Sequence, residues 1–87
     1  MRVAFTNDGW ADYVEWQARD KKTLRRINAL IRGIGRDAHA CIGAPEPLRG
    51  DWAGWWSRAI DDKNRLIYHI NGELLEIAQC AGHYDDH

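Results

Sequence analysis

At 87 residues, with hydrophobic residues at 45% and a net charge of −1, the chain is expected to form one domain, residues 1–87, around a single modest core. No run of about 18 apolar residues is available to span a bilayer, and the start MRVAFTNDGW lacks the basic and apolar segments of a signal peptide, so a cytoplasmic protein with no membrane partner is expected. The two cysteines, Cys41 and Cys80, stand far apart outside any CxxC spacing, which favours reduced thiols over a disulfide or a zinc site.

Charge is spread unevenly. Residues 1–36 carry eight Lys/Arg against four Asp/Glu, residues 37–60 two against three, and residues 61–87 two against six. Only the basic N-terminal part has the sign to follow a phosphate backbone.

In chain order, Arg2–Phe5 is short and β-prone, placed to enter a sheet. Thr6, Asn7 and Asp8 then offer N-cap oxygens, and Trp10, Tyr13, Val14 and Gln17 recur at helical spacing, predicting a helix over residues 8–19. Asp20 can cap a second helix in which Leu24, Ile27, Ile31 and Ile34 form a narrow apolar stripe. Its Lys21, Lys22, Arg25, Arg26, Arg32 and Arg36 read as a solvated face, and Gly33 and Gly35 weaken its end. With almost nothing between them, the helices should form an antiparallel hairpin with both stripes against the sheet.

Residues 37–51 read as loop. Within it Glu46 sits between Pro45 and Pro47, and the second proline disfavours helical backbone at Glu46. Residues 54–60 alternate Trp56, Arg58 and Ile60 against Trp55, Ser57 and Ala59, as in a strand. Two further apolar runs flank Asn71-Gly72, a dipeptide suited to a type I′ hairpin turn. Pairing outward from that turn sets Ile70 opposite Glu73, Tyr68 opposite Leu75 and Leu66 opposite Ile77. Leu66, Tyr68, Ile70, Leu75 and Ile77 then share a core face, and Arg65, Ile67, His69, Leu74, Glu76 and Ala78 share the other. The order β-α-α-β-β-β predicts an α+β fold, two N-terminal helices on one face of a four-stranded, mainly antiparallel twisted sheet. Five tryptophans are expected to fill the core, the hairpin packing or an interface.

Four polar groups carry candidate chemistry: Glu46, Arg65, His83 and Tyr84. A carboxylate, an imidazole and a guanidinium suffice for RNA cleavage by the RNA's own 2′-hydroxyl, with no metal or other cofactor. The carboxylate takes the 2′ proton, the imidazole protonates the departing 5′ oxygen, and the planar cation stabilises charge growing on phosphorus. Tyr84 can stack on a base. Each residue also has a structural alternative: Glu46 as an exposed loop glutamate, Arg65 paired with Glu76 across the hairpin, His83 as a solvated terminal residue, Tyr84 closing the core. His39, Cys41, His69, His83 and His87 show no established metal-ligand spacing, so no metal is expected.

The stretches WADYVEWQARDKKTLRRINALI, PEPLRG, GWWSRAI, NRLIYHI with LLEIAQC, and the late HY run in this order over nearly the whole chain. Together they resemble the YoeB-type toxins of the RelE superfamily. The resemblance implies a RelE-like, microbial-RNase-like fold and a type II toxin–antitoxin toxin. Its implied activity is that of an endoribonuclease (mRNA interferase) that cuts mRNA in the A site of the ribosome, leaving a 2′,3′-cyclic phosphate and a 5′-hydroxyl. Carried onto this chain, Glu46 matches the general base, His83 the general acid, Arg65 the transition-state cation and Tyr84 the substrate-positioning aromatic. Arg49 stands where members often have a lysine, and Arg58 matches the first arginine of their WSRR, both as substrate-binding groups. The implied partners are a cognate YefM-like antitoxin whose C-terminal segment wraps the toxin, a second copy in a homodimer, and operator DNA reached only through the antitoxin. Ala59 departs from the WSRR pattern, the net charge is acidic, and Asp85-Asp86-His87 extends past the usual ending. These departures suit an alternative, a weakened or inactive toxin retained as an antitoxin-binding and operon co-repressor module.

Overall fold

In the computed structural model, residues 1–37 and 42–82 are described. Strand β1 (Arg2–Phe5) leads into α1 (Asn7–Arg19), and Thr6 serves as the N-cap, its hydroxyl accepting from the Gly9 N–H at 3.1 Å. The same hydroxyl donates to the Ala78 carbonyl at 3.1 Å, tying the cap to the far end of the chain. Gly9 is required by contact: a Cβ there would lie 2.4 Å from the Ile77 carbonyl oxygen, so only glycine lets α1 approach the sheet this closely. About two turns on, the buried Trp16 indole donates to the Cys80 carbonyl at 2.8 Å.

Helix α2 (Lys21–Arg36) starts at Asp20, whose carboxylate accepts from the Lys22 and Thr23 N–H groups and the Thr23 hydroxyl. Gly33 and Gly35 do not end it early; it runs to Arg36, where the Asp37 N–H bonds back to the Gly33 carbonyl. Ile27, Leu30 and Ile34 are its buried stripe, and Tyr13 donates to Asn28 Oδ1 at 2.7 Å across the helix pair. Arg26 leaves the solvated face to donate to the Ala59 and Ile60 carbonyls.

The sheet has five strands rather than the expected four. Besides β3 (Trp56–Ala59), β4 (Arg65–Asn71) and β5 (Leu74–Gln79), a two-residue strand, β2 (Glu46–Pro47), lies in the segment read as loop. The order is β1-β5-β4-β3-β2, with β1 parallel to β5 and every other pair antiparallel. Pro47 lacks an N–H, and β2 is accordingly an edge strand.

The hairpin turn also differs by one step. Asn71 pairs with Leu74, Ile70 with Leu75 and Tyr68 with Ile77, so the loop residues are Gly72 and Glu73. Gly72 has φ +61°, which suits a turn with glycine at its first central position. Each partner moves by two residues, so the assignment of side chains to faces survives, but Ile70, expected on the core face, is exposed at the hairpin end. Beyond Tyr68 the register slips at a bulge and Ile67 pairs with Gln79, leaving Ala78 as the extra residue.

Leu66, Tyr68, Leu75, Ile77 and Cys80 meet Trp16, Ile27, Leu30 and Ile34 in the main core. A second apolar cluster, Leu48, Ile67 and Ala78 with Trp52 and Trp55 against it, forms on the face away from the helices. Trp16 alone among the tryptophans is fully buried; Trp10 and Trp56 are exposed. Cys80 is a buried free thiol, pushed up to about 12 by its burial and by neighbouring Asp12; Cys41 lies outside the described residues.

Candidate active site

Residues 42–48 arrive at the sheet by a turn built on positive φ at Gly43 (78°) and Ala44 (50°). Gly43 fits against β3, where a Cβ would lie 3.1 Å from the Ala59 oxygen, the Arg58 Cβ and Leu30 Cδ2, and its carbonyl accepts from the Ala59 N–H at 2.8 Å. Ala44 holds a left-handed conformation that favours glycine. Pro45 follows, and Glu46 then pairs with Ser57 as the first residue of β2. The chain is thus fixed on both sides of this carboxylate, since the Leu48 N–H donates to the Trp55 carbonyl at 2.9 Å.

Glu46, Ser57 and Arg65 meet on the face away from the helices. Arg65 Nη2 lies 3.0 Å from Glu46 Oε1, and Arg65 Nε donates to Ser57 Oγ. The arginine side chain is only 17% exposed while the glutamate is 54% exposed, so the cation forms the floor of the site and the carboxylate its open rim. Ser57 is buried and holds Nε, and Glu46 takes Nη2, the position an oxyanion ligand would contest. The sequence alternative for Arg65, a pair with Glu76, is excluded because Glu76 stands opposite His69 and bonds it, Oε1 to Nε2 at 2.8 Å.

The Arg65 N–H also donates to the Gly82 carbonyl at 2.9 Å, and the Gly82 N–H donates to Asn64 Oδ1 at 2.8 Å. The chain at residue 82 is therefore stitched to the backbone of the site's own arginine. His83 and Tyr84, with Asp85, Asp86 and His87, lie outside the described residues, as do His39 and Cys41. Among the described residues no three His, Cys, Asp or Glu side chains gather as a metal site.

Two remaining candidates part company. Arg49 is exposed, in the loop three residues after Glu46. Arg58 is not in the site, and its assignment as a substrate-binding group is corrected. It points to the helix side of β3, is 0% exposed, and donates from Nε to Tyr68 Oη at 2.9 Å and from Nη1 to the Ile42 carbonyl at 3.1 Å. The reason is strand alternation: Arg58 shares the face of Ile60, whereas Ser57 and Ala59 share that of Arg65. Sequence reading missed Ser57 as the second partner of Arg65, although its alternation with Arg58 carried the signal.

Two helices layered on one face of a mixed sheet, with an acid–arginine pair held on the other, place the fold in the RelE-like, microbial-RNase-like α+β class. Comparison with known proteins narrows the class. The family model described as YoeB-like toxin of bacterial type II toxin-antitoxin system matches residues 5–84. Toxin YoeB of Streptomyces coelicolor is 50% identical over 84 residues, 97% of this chain and 100% of that protein. The solved YoeB/ParE toxin from Agrobacterium tumefaciens superposes with a TM-score of 0.92 at 43% identity, covering 97% of this chain and 100% of that one. A YoeB–YefM complex and a YoeB dimer from Staphylococcus aureus superpose with a TM-score of 0.89 at 34% and 35% identity, each covering 97% of this chain and 98% of that one. The chain belongs to the YoeB-like toxin family of bacterial type II toxin–antitoxin systems.

Proposed function

We propose that the protein is a ribosome-dependent endoribonuclease that cleaves mRNA in the A site. The observation that carries this reading is the Glu46–Arg65 pair at 3.0 Å on the face away from the helices, with Ser57 orienting the cation. A substrate phosphate competes with Glu46 for Arg65. As it takes over the guanidinium, it frees the carboxylate beside the adjacent 2′-hydroxyl. Glu46 accepts the 2′ proton, the 2′ oxygen bonds to phosphorus, and the phosphorus–5′-oxygen bond breaks with a proton supplied by His83. Arg65 balances the charge on the phosphoryl oxygens. The products are a 2′,3′-cyclic phosphate and a 5′-hydroxyl, and the internal nucleophile needs no metal-bound water. Arg49 contributes phosphate affinity at the rim and Tyr84 stacks on a base.

The cytoplasm, where ribosomes are, is the proposed location. The Staphylococcus aureus structures support a YefM-like antitoxin and a second copy of the chain as partners here too, with operator DNA contacted through the antitoxin. End-group analysis of the cleaved message tests the chemistry: a 2′,3′-cyclic phosphate supports it, and a 3′-hydroxyl end contradicts it.

One observation favours the alternative of an inactive antitoxin-binding co-repressor. Ala59 stands directly opposite Arg65 on the neighbouring strand, so the cation that the WSRR pattern would supply is missing from the site's own face. A cation there would also repel Arg65, and the Glu46–Arg65–Ser57 set is complete without it. Growth arrest on expression without antitoxin separates the two readings: arrest supports the enzyme, and unimpeded growth the co-repressor.

A further inference from the structure

Beside the Glu46–Ser57 row, the same face of the sheet carries a second row of side chains. His69 pairs with Glu76 on β5, and Trp55 immediately precedes the β3 residue that pairs with Tyr68. The Trp55 ring lies against the His69 imidazole, centroids 4.0 Å apart at 33°, and the edge of Trp52 abuts Trp55 at 5.5 Å and 86°. His69 Nε2 lies 2.8 Å from Glu76 Oε1, which places a proton on Nε2. Nδ1 has no hydrogen-bond partner among the described residues.

Stability does not call for this arrangement. The His69 and Glu76 side chains are 26% and 34% exposed, and a partly exposed hydrogen-bonded pair adds little to folding. An apolar pair would extend the adjoining Leu48, Ile67 and Ala78 cluster at lower desolvation cost. What the arrangement does provide is a stiff aromatic surface with one free ring nitrogen. Successive rows on one face of a strand are two residues, or about 7 Å, apart. Trp55 and His69 each stand two residues from the Ser57–Ile67 pair, with Arg65 two residues to its other side, so the surface adjoins the Glu46–Ser57 row onto which the Arg65 guanidinium reaches. Single-stranded RNA is read in this way, by stacking on aromatic or histidine rings and by hydrogen bonds to exposed base edges.

We propose that Trp55 and His69 form a stacking platform for the nucleobase next to the cleaved phosphate, with His69 Nδ1 reading an edge of that base. Glu76 is a positioning residue that fixes the plane of the imidazole. This rests on the nuclease reading above, and the test separates the two.

Ribosomes are programmed with A-site codons that differ at the base flanking the cut, and kcat and KM are measured for wild type, His69→Ala and Glu76→Gln, with Glu46→Ala as control. His69→Ala is expected to lower kcat/KM by about 5- to 100-fold, mainly through KM, and to flatten the preference among codons. Glu76→Gln is expected to shift both in the same direction by less, and it decides the matter if His69→Ala does not fold. Cleavage by both variants with unchanged KM and codon preference, alongside loss in Glu46→Ala, overturns the platform and leaves the nuclease reading standing. A uniform loss on all codons with a lowered Tm also overturns it. No cleavage by the wild type removes the nuclease reading and the platform with it.

Discussion

Arg58→Ala separates a structural arginine from a substrate-binding one. The guanidinium is 0% exposed, donates to Tyr68 Oη at 2.9 Å and the Ile42 carbonyl at 3.1 Å, and lies 5.5 Å from the Tyr68 ring centroid. Each hydrogen bond from a charged donor contributes about 1.5–3 kcal/mol, and a large-to-small change in a core costs about 2–5 kcal/mol. Against these stands the desolvation of a buried cation, several kcal/mol that the alanine variant no longer incurs. The net loss is about 2–4 kcal/mol. At about 4–8 °C per kcal/mol for a domain of this size, Tm should fall by roughly 10–30 °C, read by circular dichroism. Arg58→Met, which keeps most of the volume, should recover part of that loss. Below both transitions, KM for programmed ribosomes should match wild type. An unchanged Tm with a raised KM would refute the reasoning and return Arg58 to the substrate.

Other perturbations test other links. Gly9→Ala forces a Cβ to within 2.4 Å of the Ile77 carbonyl oxygen, and thermal unfolding should show a loss of about 1–3 kcal/mol; no loss would mean that α1 does not seat on β5 this closely. Ser57→Ala removes the acceptor for Arg65 Nε and should lower kcat about 3- to 10-fold, the worth of one hydrogen bond, while KM holds; an unchanged kcat would deny Ser57 its orienting role. Burial raises the Asp12 carboxyl above its ordinary 3.8, with Asp8 and Glu15 adding to the shift against the hydrogen bond from the Cys80 N–H. The native state then holds the proton more tightly than the unfolded chain, so Asp12's contribution to stability is lost as pH rises from 3.8 through the raised value. Asp12→Asn keeps an acceptor for the Cys80 N–H and should raise Tm near neutral pH, the gain shrinking in acid; a gain equal at both would show that the charge is not the cause.

The helices were legible because their signals are local. Thr6 and Asp20 cap where the apolar period begins, and each cap closes on backbone within three residues. The β4–β5 hairpin was legible as well, and its faces stayed correct through the two-residue change in pairing because side-chain alternation has a period of two. The bulge at Ala78 and the parallel pairing of β1 with β5 were not legible, since both depend on packing between residues distant in sequence. Strand β2 is too short to show a period and contains a proline that argues against a strand. The site followed the same division. Glu46 and Arg65 could be named from residue type and resemblance, but their ion pair needed the loop to fold back onto β3. The placement of Arg58 was available from its alternation with Ile60, which belongs to the core. Trp55, His69 and Glu76 come together only through the register of three strands.

The proposed centre of RNA cleavage is Glu46 with Arg65. Its most direct test is primer-extension mapping of mRNA on programmed ribosomes, wild type beside Glu46→Ala. The expected result is cuts at the A-site codon by the wild type and a rate lowered by about 10²–10⁴ in the variant, the range for a lost general base. Equal rates in the two proteins, or an intact message with the wild type, would contradict it.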